Sequence, residues 1–306
     1  MRSAIVTGAT GMIGMSVARY LASKGVNTIA LGRNLSNKDP AIFNFNTRLK
    51  YFEISMEEIH NLEKLIKQIS WSTEDCVFFN FAWRGNKNIS DGTLNEQMKN
   101  VLHTANAVKV AKKIGCTKFV NCGSLQETFA EQILLGSGFN EKLSQMNYTI
   151  AKITARDVAL IESYTNKLDY VHTRISVPLS LDLNKESYIQ LCLKKILNGA
   201  AISEPLNTSI FDFIRLEEVA QAYFLVGESG VNKADYYIGS KTPSTLSHYF
   251  SNFRKYVQKK QLSPYERLDE SHLKLFSTSQ MEIDTKFVPS ESFSIFMSQA
   301  VNKWCK

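Results

Sequence analysis

Little in this sequence suits a disulfide scaffold, a metal centre or a membrane span. Five cysteines among 306 residues stand at 76, 116, 122, 192 and 305. They are odd in number and nowhere in CxxC spacing, so they read as free thiols of a reducing compartment. The five histidines form no HExxH or other paired spacing, and no metal is expected. No apolar run approaches the roughly 18 residues of a membrane span. The opening Met1-Arg2-Ser3-Ala4-Ile5-Val6-Thr7-Gly8 lacks the apolar region and cleavage site of a signal peptide. A cytoplasmic protein with no membrane insertion is expected. Disorder is excluded by 44% hydrophobic and 21% charged residues. The net charge of +7 favours solubility and sets a field that attracts an anionic ligand. Its lysines and arginines are spread along the chain with no finger, RRM or basic-region pattern, so nucleic acid is not an expected partner.

What is there is an alternation of strands and helices. A chain of this length makes about two domains or one large α/β unit. Short β-rich runs at 4–7, 26–31, 49–54, 76–81, 118–122 and 169–175 are separated by helical patterns at 12–24, 56–69, 95–114 and 146–165. This alternation predicts an α/β fold, a doubly wound parallel sheet with helices on both faces. After about residue 178 the rhythm loosens around Pro178, Pro205, Pro243 and Pro264, with helices near 186–198, 217–227, 244–258 and 291–303. The reading is a dinucleotide-binding domain over 1–177 and a smaller C-terminal α/β substrate region over 178–306. A strand and helix near 209–240 are expected to cross back to the first domain.

The sharpest local signal is Thr7-Gly8-Ala9-Thr10-Gly11-Met12-Ile13-Gly14, a GxxGxxG directly after a strand and opening a helix. Glycine permits the tight turn and the close approach of backbone to a pyrophosphate. The helix N-terminus offers free N–H groups and positive dipole to the phosphates. The second strand ends Ala30-Leu31-Gly32-Arg33-Asn34. An acidic residue there would bond the ribose 2′-OH of NAD. Gly32 instead leaves space and Arg33 carries a planar fork suited to a 2′-phosphate, with Ser36, Asn37 and Lys38 as helpers. NADP(H) is therefore expected over NAD(H).

Tyr148 and Lys152 stand four apart on a predicted helix and share one face. An ammonium near a phenol favours the phenolate, which suits Tyr148 to act as acid or base toward an alcohol or carbonyl. Asn121-Cys122-Gly123-Ser124 closes the fifth strand. Its carboxyl end faces the ligand crevice in a parallel sheet, where Ser124 can donate to an oxygen on which charge develops.

Taken in order, these pieces resemble the extended short-chain dehydrogenase/reductases, in their nucleotide-sugar epimerase/dehydratase branch, a Rossmann fold. The matching runs are 7–14, Phe81-Ala82-Trp83, Gly123-Ser124, 148–152, 211–220 and Tyr236-Tyr237-Ile238-Gly239. The resemblance implies Ser124, Tyr148 and Lys152 as catalytic residues. It implies a cofactor near Gly8, Thr10, Gly11, Met12, Ile13, Arg33, Asn34, Ile54, Phe81, Ala82, Trp83, Tyr148, Lys152 and Ile175. It also implies a nucleotide-diphosphate sugar as substrate and a homodimer packed through helices near 95–114 and 146–165.

Departures from the branch narrow the choice. Dehydratases carry an Asp-Glu pair after the Ser/Thr; here Leu125 and Gln126 stand there and cannot exchange a proton. NAD-using 4-epimerases end the second strand with Asp, where this chain has Gly32 and Arg33. Phe211 replaces an arginine that contacts pyrophosphate, and Pro178-Leu179-Ser180 replaces a tyrosine-glycine-proline turn. The leading expectation is NADPH-dependent reduction of a nucleotide-linked 4-keto-6-deoxy sugar for surface polysaccharide biosynthesis. A nucleotide-sugar 4-epimerase and a non-catalytic NADP-binding regulator are the alternatives. Loops near 83–94, 127–145 and 178–210 would read the sugar, with Asn86, Asn88, Gln126, Asn147, Ser180 and Arg215 as candidate contacts.

Overall fold

Six apolar runs and one late strand build a single parallel sheet. The computed structural model describes the chain apart from residues 36–43, 86–91, 137–145, 182–187, 201, 203–209, 265–267, 291 and 305–306. The strands are β1 (Ser3–Thr7), β2 (Asn27–Gly32), β3 (Leu49–Glu53), β4 (Cys76–Asn80), β5 (Lys118–Ser124), β6 (Asp169–Ile175) and β10 (Asp235–Ile238), in spatial order β10-β6-β5-β4-β1-β2-β3. Every neighbouring pair is parallel. The order runs outward from β1 in one direction and from β4 in the other. The switch point therefore lies between the carboxyl ends of β1 and β4, where such sheets hold ligands.

Successive side chains of a strand face opposite sides, and both sides of this sheet are covered. Ala4, Val6, Phe79 and Val120 pack beneath α1 (Met12–Ser23) and α7 (Leu216–Ser229), through Val17, Ala18 and Leu21 of the one and Val219, Tyr223 and Val226 of the other. Ile5, Phe78 and Phe119 pack on the opposite side under Ala107, Val108 and Ala111 of α3 (Leu94–Lys113) and Ala159 of α5 (Met146–Thr165). Burying a side chain the size of Phe or Ile on such a sheet stabilises by about 1.5–3 kcal/mol. Covering on both sides is why these strands read as apolar runs and not as alternating ones.

The C-terminal chain adds β7 (Val177–Leu179), α6 (Tyr188–Leu197), β8 (Ile210–Phe211), β9 (Phe213–Arg215), β11 (Ser244–Thr245), α8 (Leu246–Val257), α9 (Glu270–Leu275), α10 (Ser279–Thr285) and α11 (Ser292–Trp304). Pairs β7–β9 and β11–β8 form two small sheets. A separate aromatic core of Phe213, Tyr249, Phe250, Phe253, Phe293 and Phe296 closes this region. Buried Asp212 joins two of the sequence motifs. It accepts from the Tyr237 hydroxyl at 2.9 Å and from the Ser240 amide at 2.8 Å. Among the described residues no helix is long and apolar enough to cross a membrane.

Two local expectations change. The pattern over 56–69 predicts one helix, but a single 3-10 turn at Met56–Glu58 precedes α2 (Asn61–Gln68). The Ser55 hydroxyl donates to the Glu58 carboxylate at 3.1 Å and closes that turn tightly. The span 127–145, read as a loop, begins within a helix, α4 (Leu125–Leu134), capped by Ser124 and Glu127. Residues 137–145 lie outside the described residues.

Helix α4 is tied to the sheet by charge. Glu131 takes the guanidinium of Arg174 on β6 at 3.0 Å and also pairs with Arg156 on α5. Arg174 in turn holds Asp235 of β10. Burial works to raise the Glu131 carboxyl, but the hydrogen bonds from Arg174 and then Arg156 outweigh it and hold it below the usual glutamate range. A carboxylate held low in the folded chain stabilises above its unfolded value and loses that contribution as pH falls through the folded one. Glu131→Gln is expected to cost about 1–2 kcal/mol at pH 7. Urea unfolding of both chains, repeated below about pH 4, should show that gap closing. A gap that persists in acid would assign the loss to packing.

Candidate active site

A cleft of about 410 Å³ opens at the switch point. Its floor is the loop from β1 to α1. Gly8 has φ +64, and a Cβ there would come within 2.8 Å of the Phe81–Ala82 backbone. The loop after β4 thus lies directly on the glycine turn, and only glycine fits. Gly11, at the N-cap of α1, has no side-chain cap. The first N–H groups of that helix are left for a ligand's phosphates.

The wall above is organised by buried polar residues of α3. Asn100 accepts from the Arg84 amide at 2.9 Å and donates to the Arg84 carbonyl at 3.0 Å. Gln97 accepts from the Trp83 indole at 2.8 Å and donates to the Gly85 carbonyl at 3.2 Å. These two residues fix the turn that follows β4. At the other end of the cleft Arg33, Arg84 and His103 face Glu57, which pairs with Arg84 at 3.2 Å. Burial pulls His103 below its ordinary value, opposed by Glu57 and helped by Arg84 and Arg33.

Gly8, Thr10, Gly11, Met12, Ile13, Arg33, Ile54, Phe81, Ala82 and Trp83 all line the cleft. Asn34, Tyr148, Lys152 and Ile175 are not among its described lining residues. Asn34 is a left-handed turn residue with φ 53, and Ile175 is buried opposite Ser124 in the β5–β6 register. Ser36, Asn37 and Lys38 lie outside the described residues. The space expected at Gly32 is filled: a Cβ there would come within 2.5 Å of the Thr10 methyl. Glycine at that position admits Thr10, not a phosphate, and Arg33 alone keeps the charge argument. Glu57, Arg84, Asn100 and His103 went unread in the sequence. Gln97, Asn100 and Thr104, polar at helical spacing on a buried face, were the available signal.

Ser124, Tyr148 and Lys152 come together beside Trp83. Buried Lys152 donates to the Cys122 carbonyl at 2.7 Å and lies 3.9 Å from the Trp83 ring centre. The Tyr148 ring meets Trp83 edge-on at 5.7 Å. Burial pulls the Lys152 ammonium below its ordinary value, and the indole face partly compensates the lost water. Burial pushes the Tyr148 phenol up, and a hydrogen bond with Ser124 draws it back. Burial is the largest influence on the Tyr148 phenol. The Ser124 oxygen accepts from the Gln126 amide at 3.3 Å as N-cap of α4, which leaves its one proton to donate elsewhere.

The sugar-contact candidates fare unevenly. Gln126 is the second residue of α4, and its buried carboxamide oxygen has no hydrogen-bond partner among the described residues. Asn147 donates to the Gly92 carbonyl at 3.1 Å. Arg215 is committed to Glu218 at 3.0 Å, and Ser180 is buried. Asn86 and Asn88 lie outside the described residues.

The profile of the NAD dependent epimerase/dehydratase family matches residues 4–239. No curated protein sequence matches the chain. Among solved structures, UDP-glucose 4-epimerase of Thermotoga maritima, in complex with UDP-glucose, is 17% identical with a TM-score of 0.74, over 99% of this chain and 100% of that one. The Bordetella bronchiseptica enzyme WbmH, in complex with NAD+, is 18% identical with a TM-score of 0.72, over 100% and 99%. UDP-N-acetylglucosamine 4-epimerase of Bacillus cereus is 14% identical with a TM-score of 0.71, over 100% of both chains. At these identities the likeness is one of fold.

Proposed function

The chain belongs to the NAD dependent epimerase/dehydratase family, and from that premise we propose that it reduces the 4-keto group of a nucleotide-diphosphate 4-keto-6-deoxy sugar with NADPH, in surface polysaccharide biosynthesis. The observation that supports this reading is Arg33, which lines the cleft at the end of β2 where no carboxylate stands to take a ribose 2′-OH. A reductase consumes its dinucleotide, usually the phosphorylated one, whereas an epimerase recycles one bound NAD. Leu125 and Gln126, in the places of the dehydratase acid and base, weigh against water elimination.

The cleft fits a dinucleotide. The uncapped α1 N-terminus and the side-chain-free Gly8 and Gly11 suit a pyrophosphate, and Arg33 suits a 2′-phosphate. When bound, the dinucleotide supplies the hydride. The rest falls to the chain. Tyr148 gives its phenolic proton to the C4 oxygen of the sugar. Ser124 donates a hydrogen bond to that oxygen as negative charge builds on it. Lys152, anchored on the Cys122 carbonyl, places positive charge beneath the phenol as its proton leaves. Trp83 excludes water from the pair. Residues 178–306 are assigned to binding the nucleotide and sugar. The outer faces of α3 and α5 expose Leu94, Leu102, Ile150 and Ile161, which suits a homodimer through those helices.

NADPH and NADH oxidation against a panel of nucleotide-linked 4-keto-6-deoxy sugars tests the reading. Consumption of NADPH with one sugar supports it; no consumption with any overturns it. Arg33→Ser is expected to raise the KM for NADPH about 10–100-fold, the loss of one charge-assisted phosphate contact, and to leave that for NADH unchanged. Equal effects on both cofactors would remove the 2′-phosphate assignment.

A 4-epimerase is the second reading. It is favoured by the solved structures named above as 4-epimerases. Such an enzyme would keep its dinucleotide through purification and interconvert two sugars with no net cofactor use.

A further inference from the structure

Thr7, Asn80, Asn121 and His172 stand in direct register on four adjacent strands, β1, β4, β5 and β6. All are buried. They form one polar row across an apolar sheet, and the row ends on Glu127 of α4, which is fully buried as well.

The direction of its hydrogen bonds is fixed from one end. The Thr7 hydroxyl accepts from the backbone amides of Phe81 and Ala82, each at 3.2 Å. Its own proton must therefore go to Asn80 Oδ1, 2.9 Å away. That orients Asn80 so that its Nδ2 donates to Asn121 Oδ1 at 3.1 Å. Asn121 Nδ2, a donor only, then faces His172 Nδ1 at 3.4 Å. His172 Nδ1 also lies 3.3 Å from the Tyr170 hydroxyl; with Nδ1 accepting from Asn121, a neutral imidazole carries its proton on Nε2 and donates to Glu127 Oε2 at 2.9 Å. The second carboxylate oxygen, Oε1, accepts from the backbone amide of Ser124 at 2.7 Å. From Thr7 to Glu127 the donors point the same way, an arrangement in which successive bonds polarise one another, and the Ser124 amide meets them at the carboxylate from the other side. Gly123 lies within the turn so formed. A Cβ there would come within 2.4 Å of both Glu127 Oε1 and His172 Nε2.

We propose that Glu127 and His172 are a positioning pair for Ser124, locking its backbone so that its hydroxyl meets Tyr148 and the substrate oxygen. The proposal rests on the reading of Ser124 as a donor to the reacting oxygen. The described hydrogen bonds of Glu127 run to the Ser124 amide and to His172; its charge also acts on Tyr148 and Lys152, and its positioning role runs through Ser124. The row also begins on the Phe81–Ala82 backbone that covers Gly8. One set of oriented bonds thus ties the dinucleotide turn to the serine.

Three variants of the full chain test the pair. His172→Gln keeps a donor near the Nε2 position. His172→Leu removes it, and Glu127→Gln puts an amide N–H opposite the imidazole N–H. His172→Leu and Glu127→Gln are expected to lower kcat about 10–100-fold, with KM and the NADPH Kd within about twofold of wild type. His172→Gln should recover kcat to within about threefold of wild type. In the wild-type protein, 15N NMR of the imidazole should show the Nε2–H tautomer. Hydrogen exchange at the Ser124 amide should quicken in His172→Leu and Glu127→Gln but not in His172→Gln. An Nδ1–H tautomer, unchanged kcat in His172→Leu, or a His172→Gln variant as slow as His172→Leu would overturn the proposal. A wild-type protein that turns over no nucleotide sugar would sink the functional reading alone. The tautomer and the Ser124 exchange rate would then decide the pair: Nε2–H with quickened exchange supports it, and either one absent overturns it.

Discussion

Tyr148→Phe is expected to lower kcat about 10²–10⁴-fold and to leave the NADPH Kd within about twofold of wild type. The substitution removes one oxygen. The ring that meets Trp83 edge-on at 5.7 Å stays, so the wall beside Lys152 keeps its packing. Lys152 keeps its bond to the Cys122 carbonyl. Ser124 keeps its place as N-cap of α4, because that role uses its oxygen and not its proton. What disappears is the phenol oxygen that hydrogen-bonds with Ser124. Initial-rate kinetics and an NADPH fluorescence titration on the same preparation give both numbers. A variant that turns over at the wild-type rate removes Tyr148 from the chemistry. A variant that loses dinucleotide binding and turnover together shows that the phenol holds the cofactor. Neither outcome fits proton transfer from this residue.

The scaffold and the site were unequally legible in the sequence. Strands β1, β2, β4, β5 and β6 were readable because a parallel strand covered on both faces is a short apolar run between turn residues. The glycine loop was readable because its strand and helix flank it within a few residues. Helix α4 was hidden by its own cap. Ser124 and Glu127 carry an S-x-x-E capping box, which the catalytic role that the family resemblance implies for Ser124 overshadows. The buried row was visible only in part. Asn80, Asn121 and His172 each interrupt an apolar strand, which marks them as odd. That they face one another depends on register, set by packing across β1, β4, β5 and β6. Arg84 and His103 reach the cleft only because α3 crosses behind the turn after β4. No local spacing encodes that crossing.

The three glycines of the loop look equivalent as a motif, but the structure ranks them, and Gly14→Ala is expected to be among the most damaging substitutions in the chain. A Cβ at Gly14 would stand 2.5 Å from the Gly8 carbonyl oxygen and 2.9 Å from its carbon. Those are backbone atoms of the turn itself and cannot swing aside. To admit a methyl group, α1 must move away from β1 or Gly8 must leave its φ of +64. The first loosens the packing of Val17 and Leu21 against the sheet. The second lifts the Phe81–Ala82 backbone from the floor of the cleft. Overpacking of this kind costs about 1–3 kcal/mol or more. Since the distorted atoms form the proposed phosphate site, the NADPH Kd should rise by about 100-fold or more. Gly11→Ala is the internal control. Its Cβ would sit 3.2 Å from the same carbonyl oxygen, a contact relieved by a shift of a few tenths of an ångström, and the affinity should fall by about tenfold at most. Gly25→Ala is the second control. Nothing lies within 4 Å of its Cβ, so only its φ of +90 is strained, at a cost of about 1 kcal/mol and with no change in Kd. Urea unfolding and NADPH titration of the three variants should therefore separate. Gly14→Ala loses affinity and stability together, Gly11→Ala chiefly affinity, and Gly25→Ala only stability. If Gly14→Ala binds NADPH as wild type does, the third glycine is not what joins helix to turn, and the cleft is not the phosphate site.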